Sequence, residues 1–197
     1  MGALDMSLSR RQFSTAAGLL LLGLGAPLPA AAQQNTTDTY KQDEIVSATK
    51  DFFGGTSEGL AKIIEKVFRE QGEPNGYITG EEAAGAIAVG LRYGNGWLHR
   101  KTAGNRRVYW QGPSIGFDLG ANASKVFTLV YNLGDTGQIF QRFPGVEGTI
   151  YVVGGFGVNY QQAGHVILAP IRTGVGLRAG ANVGYLAYTR QQEILPF

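Results

Sequence analysis

The chain of 197 residues carries 17 Lys and Arg against 15 Asp and Glu, a formal net charge of +2, and it contains no cysteine. A charge this close to neutral argues against a dedicated nucleic-acid-binding protein. The lack of cysteine excludes a disulfide framework and a lipoprotein-type anchor.

The N-terminus has the three-part organisation of a twin-arginine signal peptide over residues 1–32. The paired arginines, the aromatic residue that follows them and the two alanines of the cleavage pattern are Arg10, Arg11, Phe13, Ala30 and Ala32. The apolar run between them is shorter than the roughly 20 residues that cross a bilayer, so a retained membrane anchor is the less favoured alternative. We expect export by the twin-arginine machinery, cleavage after Ala32 or nearby, and a periplasmic mature chain without a transmembrane segment.

The mature chain is predicted to have a disordered polar leader, residues 33–42, and a single domain, residues 43–197. Residues 33–82 contain 10 acidic and 5 basic residues, whereas residues 83–197 contain 4 acidic and 10 basic residues. The basic excess is either a random bias of a solvated surface or a preference for anionic partners such as lipid headgroups or acidic polysaccharide.

Two helices are predicted at the start of this domain. The first covers residues 43–53 and ends at Gly54. The second has Thr56 or Ser57 as its N-cap and ends before Gly72. Its apolar residues recur with helical spacing on one stripe: Leu60, Ile63, Ile64, Val67 and Phe68.

The remainder of the chain is typical of an all-β protein, since 20 of the 30 glycines lie from Gly85 onward and short apolar runs alternate with turn residues. The predicted strands cover residues 86–93, 97–101, 106–111, 115–119, 125–131, 149–153, 157–161, 166–172 and 175–189, with a turn at Gly94–Gly96, a break at Gly112-Pro113 and a short helix within 135–143.

We expect a mainly β fold: a small soluble β-barrel of about eight or more short antiparallel strands, with two N-terminal helices and one short inserted helix. An outer-membrane barrel is disfavoured because the predicted strands are mostly shorter than the roughly 9–11 residues that such barrels need. The twin-arginine route also argues against an outer-membrane barrel, because this route carries proteins that fold before export, whereas such a barrel must stay unfolded until it is inserted.

Residues that could support catalysis are sparse. The only histidines, His99 and His165, lie apart, and the cluster that a metal site needs is missing. Glu81 and Glu82 are predicted to occupy a solvated turn, where adjacent side chains point apart and make a poor acid–base pair. We therefore expect no enzymatic activity, no metal and no cofactor. An envelope-polymer hydrolase is the least favoured alternative, and its few candidate acids in the β part are Asp118, Asp135, Glu147 and Glu193.

One predicted strand combines two cations with two aromatic residues, Arg106, Arg107, Tyr109 and Trp110, and these are the candidate ligand contacts. Strand alternation places Arg106 and Trp110 on one face and Arg107 and Tyr109 on the other. The alternative is that one aromatic side chain belongs to the core and both arginines are merely solvated.

Several motifs resemble those of a known family. They include Phe52-Phe53-Gly54-Gly55, Pro74-Asn75-Gly76-Tyr77-Ile78, Leu91-Arg92-Tyr93-Gly94, Val108-Tyr109-Trp110-Gln111-Gly112-Pro113-Ser114 and Tyr151-Val152-Val153-Gly154-Gly155. In order and spacing they are similar to the EipA (envelope integrity protein A) family of alphaproteobacteria. The resemblance implies a periplasmic β-barrel that supports the cell envelope, with a connection to lipopolysaccharide O-polysaccharide and no known catalytic residues. A fainter similarity, over residues 83–131, is to the SYLF lipid-binding domain.

The sequence thus predicts a non-enzymatic periplasmic protein that supports envelope integrity by binding an envelope component. That component is a lipopolysaccharide, a phospholipid or an envelope protein. The alternative is a lipid- or glycolipid-binding module of the SYLF type.

Overall fold

A computed structural model describes residues 38–87, 89–115, 123–173 and 184–193. The predicted signal peptide and residues 33–37 of the predicted leader lie outside these residues. So do residues 116–119 of one predicted strand and Asp118. Neither helix in the described part of the chain has the length and apolar character that a bilayer crossing requires.

Both predicted helices are confirmed, as α1 (Gln42–Phe53) and α2 (Glu58–Gln71). The Ser57 side chain accepts a hydrogen bond from the Leu60 amide at 3.2 Å, which caps the start of α2. Residues 38–41 also follow a defined path, because the Tyr40 amide donates to the Pro74 carbonyl at 2.8 Å. The ordered domain therefore begins within the segment that was predicted to be a disordered leader.

Ten antiparallel strands follow the helices. They are β1 (Gly76–Ile87), β2 (Val89–Arg100), β3 (Gly104–Ile115), β4 (Ser124–Tyr131), β5 (Arg142–Pro144), β6 (Tyr151–Val153), β7 (Phe156–Val158), β8 (Gln161–Ala163), β9 (Val166–Thr173) and β10 (Tyr185–Thr189). Their order is β5-β10-β3-β2-β1-β4-β9-β7-β6, and β8 also pairs with β9.

The described strands form a closed circuit. An antiparallel bridge between Gly145 and Gln161 joins the end of β5 to β8, and the Val146 amide beside it donates to the Tyr160 carbonyl at 2.8 Å. Because β8 pairs with β9, the eight strands β5, β10, β3, β2, β1, β4, β9 and β8 return to their starting point. The predicted mainly β, barrel-type fold is confirmed.

The barrel interior is filled by side chains from alternate residues of its strands and by two side chains from the connection between β4 and β5, Leu133 and Ile139. This inner cluster consists of Ile78, Leu98, Val108, Trp110, Val126, Val130, Leu133, Ile139, Phe143, Val166, Leu168, Leu186 and Tyr188. A second cluster lies on the outer side of β4 and β9, where Phe127, Leu129 and Ile171 pack under the apolar stripe of α2. The helices therefore cover one part of the barrel wall and leave the outer side of β2 and β3 uncovered by them.

Two predicted interruptions of the strands are wrong. The predicted turn at Gly94–Gly96 lies inside β2, and Gly112-Pro113 lies inside β3. A side chain at Gly94 would place its Cβ 2.1 Å from Cε2 of Trp110, so this glycine makes room for an indole rather than for a turn.

Two further predictions need correction. The predicted turn at Glu81 and Glu82 is an internal part of β1 that pairs with both β2 and β4. The predicted helix within residues 135–143 is only a 3-10 turn, Thr136–Ile139, and Phe143 belongs to strand β5, where its ring fills the core. Of the predicted strand 175–189, the structure describes β10, whereas residues 175–183 lie outside the described part.

Candidate functional site

The outer side of strands β1 to β3 presents a row of aromatic and planar polar side chains. In the antiparallel register, Trp97 on β2 lies opposite Arg107 on β3, and Asn95 lies opposite Tyr109. Side chains two residues apart share a face of a strand. We define the β1–β3 outer face as Glu81, Tyr93, Asn95, Trp97, Arg107 and Tyr109.

Arg107 is held in place at the centre of this face. Its guanidinium carbon lies 5.3 Å from the ring centroid of Trp97 and 5.5 Å from that of Tyr109. It also donates a hydrogen bond to Oδ1 of Asn95. Two cation–π contacts and one hydrogen bond fix the side chain without burying it. Trp97 remains 46% exposed, one of the few large apolar side chains in the described residues that is.

A depression of about 220 Å³ continues this face toward the C-terminal segment. Its rim includes Glu81, Tyr93, Asn95, Tyr109 and Gln192, and Gly94 and Trp110 also line it. The segment after β10 is attached here, since Nε2 of Gln111 donates to Oε2 of Glu193 at 3.2 Å. The face and its depression together form a shallow groove with aromatic walls and hydrogen-bonding edges.

At the opposite end of the face, His99 has a structural role. Its ring stacks on Tyr77 with centroids 4.7 Å apart, and its Nε2 lies 2.9 Å from Oγ1 of Thr79. Burial lowers the pKa of His99, so the imidazole is neutral at pH 7. His165 occupies the turn between β8 and β9.

The second polar site lies inside the barrel, next to Trp110. We define the lumen charge cluster as Glu82, Arg92, Asn159 and Arg172. Nε of Arg172 donates to Oε1 of Glu82 at 3.1 Å, and its Nη1 donates to Oδ1 of Asn159 at 2.8 Å. Nε of Arg92 lies 3.3 Å from Oε1 of Glu82. Trp110 completes the ring of donors, since its Nε1 donates to Oε2 of Glu82 at 3.0 Å.

The protonation state of Glu82 follows from these contacts. Burial alone would raise the pKa of this carboxyl, but the guanidiniums of Arg172 and Arg92 and the two hydrogen bonds outweigh burial. The pKa of Glu82 therefore lies below its ordinary value, and the side chain is ionised at neutral pH.

The structure separates the four predicted ligand contacts. Arg107 and Tyr109 lie together on the β1–β3 outer face, whereas Trp110 is buried in the inner cluster. Arg106 is exposed and lies opposite Leu98 near the start of β3. The sequence prediction missed Trp97, Tyr93 and Asn95, because the supposed turn at Gly94–Gly96 hid the strand that aligns them with β3.

The candidate acids of the hydrolase alternative have separate surroundings. Asp135 accepts a hydrogen bond from the Gly137 amide and caps the 3-10 turn, and Glu193 accepts from Gln111. Glu81 and Glu82 are adjacent in β1, with Glu81 exposed outside the barrel and Glu82 buried inside it. Among the described residues, no group of three or more His, Asp or Glu side chains is arranged so that it could hold a metal ion.

Comparison with known proteins identifies the family of this chain and a solved structure with a similar fold. Residues 38–197 match the family model of envelope integrity protein A. A crystal structure described as a beta-barrel-like, uncharacterized protein from Brucella abortus is 46% identical, with a TM-score of 0.75 over 81% of this chain and 99% of that one. No curated protein matches the chain. The chain belongs to the envelope integrity protein A family.

Proposed function

We propose that this protein supports the cell envelope from the periplasm as a non-enzymatic binding protein, and that it holds a saccharide of the envelope on the β1–β3 outer face. Membership of the envelope integrity family supports the envelope role. The observation that carries the binding proposal is the exposed ring of Trp97 beside Arg107 and Tyr109.

The chemistry of this face suits a sugar. An exposed aromatic ring offers an apolar surface to the C–H groups of a pyranose, and Trp and Tyr combine such a surface with a polar edge. Asn95, Arg107 and Glu81 add planar donors and acceptors beside the rings, which sugar hydroxyls need as partners. An exposed aromatic group surrounded by polar side chains also marks an interaction site more often than isolated apolar exposure does.

The charge of the face favours a saccharide over a lipid surface. Binding to anionic lipid requires several cations that point outward. Here Arg107 is drawn toward Asn95 and sits between two rings, and Glu81 supplies a negative charge on the same face. The O-polysaccharide of lipopolysaccharide is the first candidate ligand, since the envelope role and the saccharide chemistry meet in it.

The face is also pre-formed. Its side chains stand on three paired strands, and the contacts of Arg107 to Trp97, Tyr109 and Asn95 hold its side chain in place. A site ordered in advance loses little conformational entropy on binding, which favours useful affinity from a small contact area.

A binding measurement on the mature chain, residues 33–197, tests this proposal. Lipid-free O-polysaccharide from the producing bacterium is titrated into the protein by calorimetry. We expect Trp97→Ala to weaken binding by about tenfold or more, because it removes the stacking surface. The matched control is Ile150→Ala, since Ile150 is 44% exposed and lies in the segment before β6; its affinity should equal that of the wild type.

Two outcomes contradict the proposal. One is undiminished binding by the Trp97→Ala variant, and the other is no binding of the polysaccharide by the wild type. Salt-sensitive binding to vesicles of phosphatidylethanolamine and phosphatidylglycerol, lost on the double change Arg106→Ala with Arg107→Ala, would instead support the lipid-binding alternative.

A further inference from the structure

A groove of about 700 Å³ runs along helix α1 where the helix meets the outer side of β1 and β2. Its wall includes three exposed side chains of α1 that recur every four residues, and its floor consists of side chains from β1 and β2. We define the α1 groove by these residues: Asp43, Ser47 and Asp51 on the wall, and Tyr77, Thr79 and His99 on the floor.

The α1 groove continues directly into the β1–β3 outer face. Thr79 on the groove floor lies opposite Trp97 in the pairing of β1 with β2, and residues paired in this way have neighbouring side chains on one face of the sheet. His99 is two residues from Trp97, so it lies on the same face of β2. The exposed ring of Trp97 therefore stands between the groove and the depression that Asn95 lines.

The path formed by the depression, the Trp97 ring and the groove is long. It follows the outer side of β2 from Tyr93, which lines the depression, to His99, which lines the groove. The steps from Tyr93 to His99, at a rise of about 3.3 Å per residue, span about 20 Å. A single sugar ring covers only a fraction of this distance, so a saccharide that fills the path is a chain of several units.

The side chains of the α1 groove suit the hydroxyl groups of such a chain. The hydroxyls of Ser47 and Thr79 can donate and accept hydrogen bonds, and the carboxylates of Asp43 and Asp51 accept them. These groups are distributed along the groove rather than gathered at one point. The groove therefore complements the ring of Trp97, which supplies the apolar surface of the path.

Contacts at both ends of α1 hold the groove wall in place. Near the start of the helix, Nζ of Lys101 donates to Oε2 of Glu44 at 2.8 Å. Near its end, Nζ of Lys125 donates to the Phe52 carbonyl at 2.7 Å. Between them, Ile45 is fully buried in the cluster outside β4 and β9. A wall that is fixed in this way loses little conformational entropy when a ligand binds.

We propose that the α1 groove is a second part of the saccharide site, and that the ligand is a polysaccharide chain of several units that runs from the depression across Trp97 into this groove. The inference rests on the proposed function, because it extends the saccharide site of the β1–β3 outer face. It adds that the length of the chain, and not only the chemistry of one sugar, determines the affinity.

Saccharide fragments of defined length test this inference. Lipid-free O-polysaccharide from the producing bacterium is partially hydrolysed, and its disaccharide and octasaccharide fractions are titrated into the mature chain by calorimetry. Ser47→Arg places a long side chain in the groove, four residues from Asp43 and from Asp51, where it can pair with their carboxylates. We expect this variant to bind the octasaccharide about tenfold more weakly than the wild type and the disaccharide with unchanged affinity.

The matched control is Gln42→Arg, which adds the same side chain at an exposed position of α1 outside the groove. It should bind both fragments like the wild type. An octasaccharide can also occupy a short site in several registers, which raises its apparent affinity without any second contact. Ser47→Arg leaves this effect unchanged, so the wild type and the variant are compared at equal fragment length and after thermal unfolding has shown equal Tm values.

Failure of this inference can be distinguished from failure of the proposed function. Octasaccharide binding by Ser47→Arg as tight as that of the wild type, or an equal loss for both fragments, would overturn the second part of the site and leave the role of Trp97 intact. Trp97→Ala should weaken the binding of both fragments. A wild type that binds neither fragment would contradict the proposed function and this inference with it.

Discussion

At the scale of single residues, the indole of Trp110 determines which residues the barrel wall can accommodate. The ring lies against β1 and β2 where neither strand has a side chain. A Cβ at Gly80 would lie 2.6 Å from Cη2 of Trp110, and a Cβ at Gly94 would lie 2.1 Å from Cε2. Both distances are too short for any contact between carbon atoms, so the indole and the two glycines form one packing unit.

We therefore expect Gly94→Ala to destabilise the protein by about 1–3 kcal/mol or more, as overpacking of a core does. Urea unfolding followed by circular dichroism measures this change. The control is Gly55→Ala, where an added Cβ meets no atom within 4 Å. Equal stability of the Gly94→Ala variant and the wild type would show that Trp110 moves freely, contrary to its buried position.

The ionised state of Glu82 predicts how the stability of the protein depends on pH. The pKa of the folded carboxyl lies below its ordinary value of 4.5. The stabilisation from ionised Glu82 is therefore fully present above about pH 4.5 and is lost as the pH falls through the folded pKa. We expect the free energy of unfolding of the wild type to fall below pH 4.5 more steeply than that of Glu82→Gln, in urea titrations from pH 3 to 7.

At neutral pH the Glu82→Gln variant should be less stable by about 3–5 kcal/mol, since removing one partner leaves buried guanidiniums without their carboxylate. Glu65→Gln is the matched control, because Glu65 pairs with Arg69 in solvent and its loss should matter little. Identical acid sensitivity in the wild type and Glu82→Gln would contradict this assignment of Glu82.

The sequence could indicate the residues of the outer face only in part. Arg107 and Tyr109 were recognised because they are close in the sequence and alternate along one strand. Trp97 and Asn95 join them only through the register of β2 with β3. The lumen charge cluster had no local signal at all, since Glu82 and Arg172 are separated by 90 positions and meet only across the barrel.

At the scale of elements, the packing of helix α2 on the outer side of β4 and β9 joins the helical part of the domain to the barrel. Ile63 and Ile64 of α2 are buried, and they belong to the same cluster as Phe127 on β4 and Ile171 on β9. The apolar stripe of α2 therefore covers a part of the barrel wall that would otherwise expose apolar side chains.

Truncation in this stripe should be costly. We expect Ile63→Ala to destabilise the domain by about 2–5 kcal/mol, because it removes a fully buried side chain and leaves a cavity. Lys62→Ala alters the neighbouring exposed position, whose ion pair with Glu58 lies in solvent, and should change stability by less than about 1 kcal/mol. Thermal unfolding of both variants tests this, and similar costs for the two would contradict the packing of α2 on the barrel.

Helix α2 was predictable because its signals are local: the Ser57 cap, the apolar stripe and the Gly72 end. The long strands β2 and β3 were predicted as shorter pieces, since Gly94, Gly96 and Pro113 are ordinarily turn residues. Of β1, only residues 86–87 fell within a predicted strand. Inside this barrel Gly94, Gly96 and Pro113 lie within strands. Gly94 is needed because the Trp110 side chain of a different strand packs against it. A local sequence pattern contains no information about such a contact.

At the scale of the whole molecule, the closed circuit of strands bears on the export that the sequence predicts for this protein. Closure depends on the bridge between Gly145 and Gln161, which joins strands that no local pattern pairs. The predicted twin-arginine signal, outside the described residues, fits a route that exports folded proteins. A domain that pairs its own sheet edges exposes few free strand edges and is suited to export in its folded form.

The predicted twin-arginine signal leads to a simple test of the proposed export route. Replacing Arg10 and Arg11 with Lys should retain the precursor in the cytoplasm, because the machinery recognises the arginine pair rather than positive charge. Cell fractionation with an antibody against the mature chain measures its distribution. Normal export of the Arg10→Lys, Arg11→Lys variant would indicate the general secretory route instead.

The envelope role itself is tested most directly in a deletion strain whose sensitivity to detergents and cell-wall antibiotics is measured after complementation. We predict that deletion raises sensitivity, that the wild type and Ile150→Ala restore resistance, and that Trp97→Ala does not, at equal periplasmic protein levels. Unchanged sensitivity of the deletion strain, or full restoration by Trp97→Ala, would contradict an envelope function exercised through the β1–β3 outer face.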